Sequence, residues 1–228
     1  MGSNPIGSTN QPSDANHGDE TVDTTHLRFL TLSLALAILG PPATGFDYPL
    51  STEAIRQAYF LGKENPDRRA KFLADYVHHL PMPAKGPNIG SIEVETPFAC
   101  IVDTVAHAPM DYHAPDAEHD FAGKPACFRV RVEIYFTPSY PGDAHAAAAL
   151  GDFWNDFKVH LKQDTEIASN GVHGQPIHSD QTISGYMGAE ILVDYDVKKI
   201  DRTAPVRIAV IAPGGQEVKT TFDLGALR

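Results

Sequence analysis

The stretch FRVRVEIYF, residues 128–136, constrains the fold of this chain more than any other, because its apolar and polar residues alternate without interruption. Successive side chains of a strand point to opposite faces of its sheet. The inward set is Phe128, Val130, Val132, Ile134 and Phe136, and the outward set is Arg129, Arg131, Glu133 and Tyr135. This pattern is typical of an antiparallel strand with one buried face.

Similar alternation recurs along the chain and predicts five further strands. They cover residues 92–102, 153–161, 189–197, 206–212 and 218–224, and the turn Pro-Gly-Gly-Gln joins the last two as a hairpin. Six strands with few helices between them favour an antiparallel β-sandwich over βαβ units. We therefore expect a mainly β protein, an immunoglobulin-like or C2-like sandwich over residues 91–228.

Residues 51–80 have a helical period instead and predict a short N-terminal helical hairpin. Ser51 or Thr52 is suited to cap the first helix, and Asn65-Pro66-Asp67 is a typical start for the second. We expect this hairpin and the sandwich to form a single domain over residues 46–228, because neither a repeat nor a second composition regime is present.

Residues 27–45 have the three parts of a secretory signal peptide. Arg28 precedes an apolar run over residues 29–39, and small residues at Ala43 and Gly45 suit cleavage before Phe46. The run is shorter than the roughly 20 residues of a membrane-spanning helix. A buried core helix is the alternative, but we expect export to the periplasm or the exterior, with no membrane span after processing.

Residues 1–26 are rich in Ser, Asn, Gly and Asp and lack an apolar period, so we expect them to be disordered. Their start, Gly-Ser-Asn-Pro at residues 2–5, matches a translation of GGTTCGAATCC, the T-arm of a transfer RNA gene. We interpret this segment as a spurious extension read from an upstream gene. An ordinary disordered tail is the alternative.

The charge of the chain excludes two classes of partner. The net charge is −11, and −8 remains once residues 1–45 are removed, with no run of Lys or Arg. Such a chain repels phosphate backbones and anionic lipid surfaces, so we expect neither nucleic-acid nor peripheral membrane binding.

Cys100 and Cys127 are the only cysteines. In an oxidising compartment a lone pair favours a disulfide over a metal or redox site. Alternation places the two residues on opposite faces of their predicted strands, so we expect Pro97 to mark a bulge that shifts the phase.

Two histidine-rich stretches, residues 107–120 and 173–180, are the candidates for chemistry, since the usual catalytic signatures are absent from the chain. Neutral imidazoles and carboxylates are ligands of zinc and other divalent ions. The candidate ligands are His107, His113, His119, His173, His178 and Asp180. Their spacing fits neither a helix nor a strand, so both stretches are expected to be loops, and solvated loops without a metal are the alternative reading.

Trp154, the only tryptophan, falls on the polar face of its predicted strand. It marks either a ligand-contacting surface or a ring covered by the Ala-rich turn at residues 144–150. Together these features favour a non-catalytic exported protein that binds a protein, peptide or glycan in the envelope or outside the cell, without a cofactor. The alternative is a metal-dependent hydrolase that uses the two histidine-rich stretches.

Overall fold

The computed structural model describes residues 45–123, 126–140, 152–178 and 186–228, and of Cys127 and Tyr186 the backbone alone. These residues belong to one compact unit, Ala43–Arg228. The predicted extension at residues 1–26 and the signal peptide at 27–45, apart from Gly45, lie outside the described part. Both stay predictions.

The FRVRVEIYF stretch forms the central strand of the larger of two antiparallel sheets among the described residues. Its strands are β1 (Val77–His79), β2 (Asn88–Glu95), β3 (Cys127–Tyr135), β6 (Ser169–His178) and β7 (Tyr186–Asp196), in the order β1–β2–β3–β7–β6. The predicted alternation of β3 is confirmed, because Phe128, Val130, Val132 and Ile134 are all 0% exposed.

The smaller sheet packs its inner face against the larger one. Its strands are β4 (Lys158–Lys162), β5 (Glu166–Ile167), β8 (Pro205–Ile211) and β9 (Glu217–Asp223), in the order β5–β4–β8–β9. Leu161 and Ile208 of this sheet share one buried cluster with Ile92, Val130 and Ile191 of the larger sheet. Two antiparallel sheets around a shared core form a β-sandwich, so the predicted fold class is confirmed.

The predicted strand over residues 92–102 is wrong in its second half, since β2 ends at Glu95 and helix α3 (Pro97–His107) follows. The Thr96 hydroxyl accepts a hydrogen bond from a backbone N–H of the first turn, and Pro97 takes the first helical position, where a backbone donor is not needed. The apolar residues here recur at helical spacing: Phe98, Ile101, Val102 and Val105. Pro97 therefore starts a helix and does not mark a bulge.

The helices form a layer with its own apolar cluster. The predicted hairpin contains α1 (Thr52–Lys63) and α2 (Pro66–Leu73), with helical turns to Tyr76, after which β1 begins. A further helix is α4 (Ala114–Phe121). Helices α1, α3 and α4 bury Ile55, Ala58, Phe98, Ile101, Val102, Val105 and Ala117 together. Gly62 allows α1 to approach α3, because a Cβ there would lie 2.7 Å from the Val102 carbonyl oxygen.

Three other sequence expectations require correction. The stretch at residues 107–120 is not a loop throughout, because α4 occupies part of it, and the stretch at 173–180 is the end of β6 as far as His178. The predicted strand at 153–161 begins as a 3₁₀ turn, Phe153–Asp156, before β4.

The Ala-rich turn at 144–150 lies outside the described residues. None of the helices that the structure describes is both long and apolar enough to cross a bilayer.

Candidate functional site

The predicted histidine ligands lie on separate elements. His107 ends α3, with its Nδ1 2.9 Å from the Asp103 carbonyl oxygen, and the His113 backbone N–H donates to the Asp116 carboxylate at 2.8 Å. His119 lies within α4, and His173 and His178 lie on β6. Within the described ranges no three His, Cys, Asp or Glu side chains come close enough together to hold a metal ion. Asp180 lies outside those ranges, so the metal site stays a prediction.

The predicted disulfide involves Cys100, which lies in the first turn of α3 and not on a strand. Its Sγ is 3.5 Å from Glu95 Oε2 and 3.8 Å from the Glu95 carbonyl oxygen. Disulfides are absent among the described side chains, but that of Cys127 is not among them. The Cys100–Cys127 bridge therefore stays a prediction.

Trp154 is half-buried and packs against the core of the sandwich. Its ring makes an edge contact with Phe153 at 5.6 Å between centroids and lies directly over Gly174 of β6. The ligand surface at Trp154 stays a prediction, because the Ala-rich turn at residues 144–150 that would cover this ring lies outside the described residues.

Replacing Gly174 with alanine is expected to destabilise the protein by about 1–3 kcal/mol, because the added Cβ would overlap the Trp154 ring. Urea unfolding followed by the fluorescence of this single tryptophan measures the change. Gly171→Ala on the same strand is the matched control, since its Cβ would meet nothing closer than His173 Nε2 at 3.5 Å. Equal stability of the two variants would show that Trp154 does not lie on Gly174.

A cleft of about 660 Å³ lies on the outer face of the larger sheet, where the helical layer ends. From here on "the cleft" means this hollow. Its helical side is formed by Asp103, His107, Tyr112 and Phe121, and its sheet side by Arg129, Arg131, Gln175, Glu190 and Leu192. Clefts of this volume with converging polar groups are the usual places of ligand binding.

Arg131 lies at the centre of the cleft floor, and its side chain is only 20% exposed. Its guanidinium contacts four carboxylates: Glu95 at 2.5 Å, Asp103 at 3.0 Å, Glu190 at 3.1 Å and Glu93 at 3.7 Å. Asp103 belongs to α3 and Glu190 to β7, so this one side chain joins the helical layer to the sheet. The sequence expectation that Arg131 faces outward is correct for the strand, but α3 covers that face.

Arg129 extends the same network by one position along β3. Its Nε is 2.7 Å from Asp194, and its Nη1 is 3.7 Å from Glu95. The five carboxylates of this network therefore share two guanidinium groups. Of these carboxylates Asp103 and Glu190 line the cleft, and Asp120 is a third acid of the lining. With every group ionised, these three acids exceed the two guanidinium groups of the lining by one negative charge.

Burial changes the pKa values of the charged side chains in this network. It raises the pKa of Glu93 to about 7, although Arg131 lowers that pKa and the neighbouring Glu95 adds repulsion. Burial also raises the pKa of Glu95, again against the effect of Arg131. For Arg131, burial lowers the pKa, but the surrounding carboxylates outweigh this and hold it above its ordinary value. The guanidinium therefore stays charged at every accessible pH.

Two tyrosines form hydrogen bonds at the helical side of the cleft. The Tyr112 hydroxyl donates to Asp120 at 3.1 Å, and the Tyr59 hydroxyl of α1 donates to the Tyr112 carbonyl oxygen at 3.1 Å. Desolvation and then the bond to Asp120 raise the pKa of Tyr112 to about 12. The phenol is thus neutral under ordinary conditions and presents its ring to the cleft.

Replacing Glu93 with glutamine is expected to stabilise the protein at high pH and to change little at pH 4. Because the folded pKa is about 7 and the ordinary value 4.5, the folded state keeps a proton that the unfolded state loses. The wild type therefore loses stability as pH rises from 4.5 through 7, by about 1–3 kcal/mol. Urea unfolding of both proteins at pH 4 and pH 8 measures this.

The control for that experiment is Asp164→Asn, at an exposed position between β4 and β5 that forms no ion pair with a described residue. It is expected to give the same small change at both values of pH. A Glu93→Gln variant that is less stable than the wild type at pH 8 would show that the Glu93 carboxylate is stabilising in its ionised form.

Sequence reasoning missed the charge network around Arg131, although its residues were visible in the sequence. Glu93 and Glu95 alternate with apolar residues in β2, just as Arg129 and Arg131 do in β3. The available signal was the helical period after Pro97, which places a helix above these charges.

Comparisons with known proteins add little to this picture. No known family and no curated protein matches the chain. Among solved structures, the chain is similar to the IgNAR antibody domain C1, with 12% identity and a TM-score of 0.29. The match covers 64% of this chain and 99% of that one.

Proposed function

We propose that this protein is an exported, non-catalytic binding domain whose cleft takes a basic group of a peptide, a lysine or arginine side chain or an amine. The observation that carries the proposal is the cleft of about 660 Å³, whose lining contains the carboxylates of Asp103, Asp120 and Glu190 against the two guanidinium groups of Arg129 and Arg131. A cationic group entering it gains from this surplus, whereas an anionic group would meet repulsion.

The shape of the cleft supports a side chain as the ligand group. Tyr112 and Phe121 give apolar and aromatic surface on one wall, and Leu192 gives apolar surface on the floor. The alkyl stem of a lysine or arginine can lie along such surface while its charged end reaches carboxylates. An aromatic ring next to a cation adds further attraction.

Direct binding measurements test this proposal. A short peptide with a single lysine and the same peptide with norleucine at that position are titrated by calorimetry at pH 8 and low salt. We expect the lysine peptide to bind at least tenfold more tightly. Equal binding of the two peptides, or binding of a neutral oligosaccharide instead of either, would contradict the proposal.

A charge-changing variant ties the binding to the cleft. Gln175 is exposed on β6 and lines the cleft, so Gln175→Lys should weaken binding of the lysine peptide by about tenfold through repulsion. Asn170→Lys, an exposed amide of the same strand outside the cleft, is the matched control and should change affinity less than twofold. If both variants weaken binding equally, the peptide binds elsewhere.

Export is the second part of the proposal, and the start of the described fold supports it. Phe46 is 0% exposed and packs against Phe128 with 5.9 Å between ring centroids. The Arg202 guanidinium donates to the carbonyl oxygens of Phe46 and Tyr48 at 3.3 and 3.0 Å. Phe46, the residue before which signal cleavage is predicted, is thus already packed in the core.

The mature protein is expected to begin at or within a few residues of Phe46. N-terminal sequencing of protein from the periplasm or culture medium measures this directly. A mature chain that still contains residues 30–39 would mean that the apolar run is retained, and export by signal cleavage would be wrong.

A further inference from the structure

Lys162 of β4 and Arg207 of β8 lie directly opposite each other on the outer face of the smaller sheet. Like charges at directly opposite positions destabilise a pair of strands. Neither side chain forms an ion pair with a carboxylate of the described residues, although the chain as a whole carries a net charge of −11. A surplus of acidic residues makes such a pair of unneutralised cations unexpected.

Two carboxylates on the same face of the smaller sheet, those of Glu166 and Glu217, contact other side chains. Glu166 lies opposite Lys162 on β5, but its carboxylate is 2.7 Å from His160. Glu217 is held by Lys219 at 2.7 Å. Glu166 and Glu217 therefore lie on this face, but their carboxylates contact His160 and Lys219 and form no ion pair with Lys162 or Arg207.

Two hollows flank the cation pair, and Lys162 and Arg207 line both of them. The first has a volume of about 370 Å³ and contains a third cation, Lys199, together with the hydroxyls of Thr165 and Thr221. The second has a volume of about 260 Å³. The cation pair thus lies between two hollows, each of which can hold a polar group.

The two acids in the first hollow do not neutralise Lys162 and Arg207. The Asp201 carboxylate accepts hydrogen bonds from the backbone N–H and the hydroxyl of Thr203, at 2.9 and 2.8 Å. Asp164, the other acid there, forms no ion pair with a described residue at all. Three cations and two acids leave this hollow with a positive balance on a negatively charged protein.

We propose that the Lys162–Arg207 pair binds a carboxylate of an acidic polysaccharide, with neighbouring sugar units in the two hollows. A guanidinium binds a carboxylate through two parallel hydrogen bonds, and the adjacent ammonium adds a third donor. The hydroxyls of Thr165 and Thr221 suit sugar hydroxyls. This second site is independent of the cleft, because the two share no residue.

Other polyanions fit this face less well. The described lining of both hollows contains no Phe, Tyr or Trp, so the bases of a nucleic acid would find no surface on which to stack. β4 and β8 are interior strands of the smaller sheet, so an acidic peptide could not add to it as a further strand next to the pair.

Calorimetry at low salt with a hexameric oligouronate tests the proposal, with a neutral hexasaccharide and an oligoglutamate of equal charge for comparison. We expect the oligouronate alone to bind measurably. Lys162→Gln and Arg207→Gln should each weaken its binding about tenfold. Lys158→Gln, on the same strand and face but outside both hollows, is the matched control and should change affinity less than twofold.

The melting temperature gives a second readout that a merely structural role would not produce. Because the two cations repel each other, Lys162→Gln and Arg207→Gln should raise the melting temperature of the unliganded protein by about 1–2 °C while weakening binding. Equal binding of the neutral sugar, tighter binding of the oligoglutamate, or an equal loss of affinity in Lys158→Gln would overturn the proposal. So would a fall in melting temperature in both pair variants.

Discussion

Replacing Val132 with aspartate is expected to leave the protein unfolded or insoluble. Val132 is 0% exposed and lies between Ile92 of β2 and Ile191 of β7, in the middle of the larger sheet. A carboxylate there would be buried without a partner, at a cost of several kcal/mol against a total stability of about 5–15 kcal/mol. Soluble yield and circular dichroism after expression measure the result.

Val172→Asp is the matched control, because it makes the same change at a residue that is 55% exposed on the edge strand β6. This variant should express and fold like the wild type. If the two variants behave alike, the inward phase of β3 is wrong.

Replacing Arg131 with methionine is expected to destabilise the protein by about 3–5 kcal/mol at pH 8, even though methionine fills a similar volume. The change leaves Glu93, Glu95, Asp103 and Glu190 without their shared counterion and removes the ion pair that joins α3 to β3. Urea unfolding at pH 8 measures the loss.

The pH dependence of this loss identifies its cause. Arg131 lowers the pKa values of Glu93 and Glu95, so both rise further without it and the carboxylates take up protons more readily. The destabilisation should therefore be smaller at pH 5 than at pH 8, because a protonated carboxyl group needs no counterion. A loss that does not change with pH would indicate that packing matters here and not charge.

Arg207→Met is the control for the charge change. Arg207 is exposed and has no carboxylate partner among the described residues, so its replacement should not reduce stability. Equal losses in the two arginine variants would mean that Arg131 has no special role.

The strands that the sequence predicted well share one property. β3, β7, β8 and β9 each have one face in the core and one polar face, so their side chains alternate in character. The segment after β2 failed because its first apolar residues fit a period of 2 as well as one of 3.6. The cap at Thr96 and the proline at position 97 decide for the helix.

The candidate site was much less predictable than the fold. The histidines attract attention in a sequence because of their chemistry, but they occupy separate elements in the structure. The charges of the cleft floor are ordinary outward positions of two strands, and nothing local to β3 shows that Arg131 will be covered.

The sequence by itself determined the alternation of β3, the sandwich of antiparallel strands and the helical start at residue 51, because these depend on local spacing and on which face is apolar. Only the tertiary structure decided which polar face would be buried. Docking of α3 across the outer face of the larger sheet excludes water from Arg131 and its carboxylates, and it creates the cleft beside them. Likewise, only the pairing of β4 with β8 brings Lys162 and Arg207 together, since their 45 positions of separation in the chain carry no sign of it. Long-range contacts set solvation and charge environment, and a local pattern does not contain them.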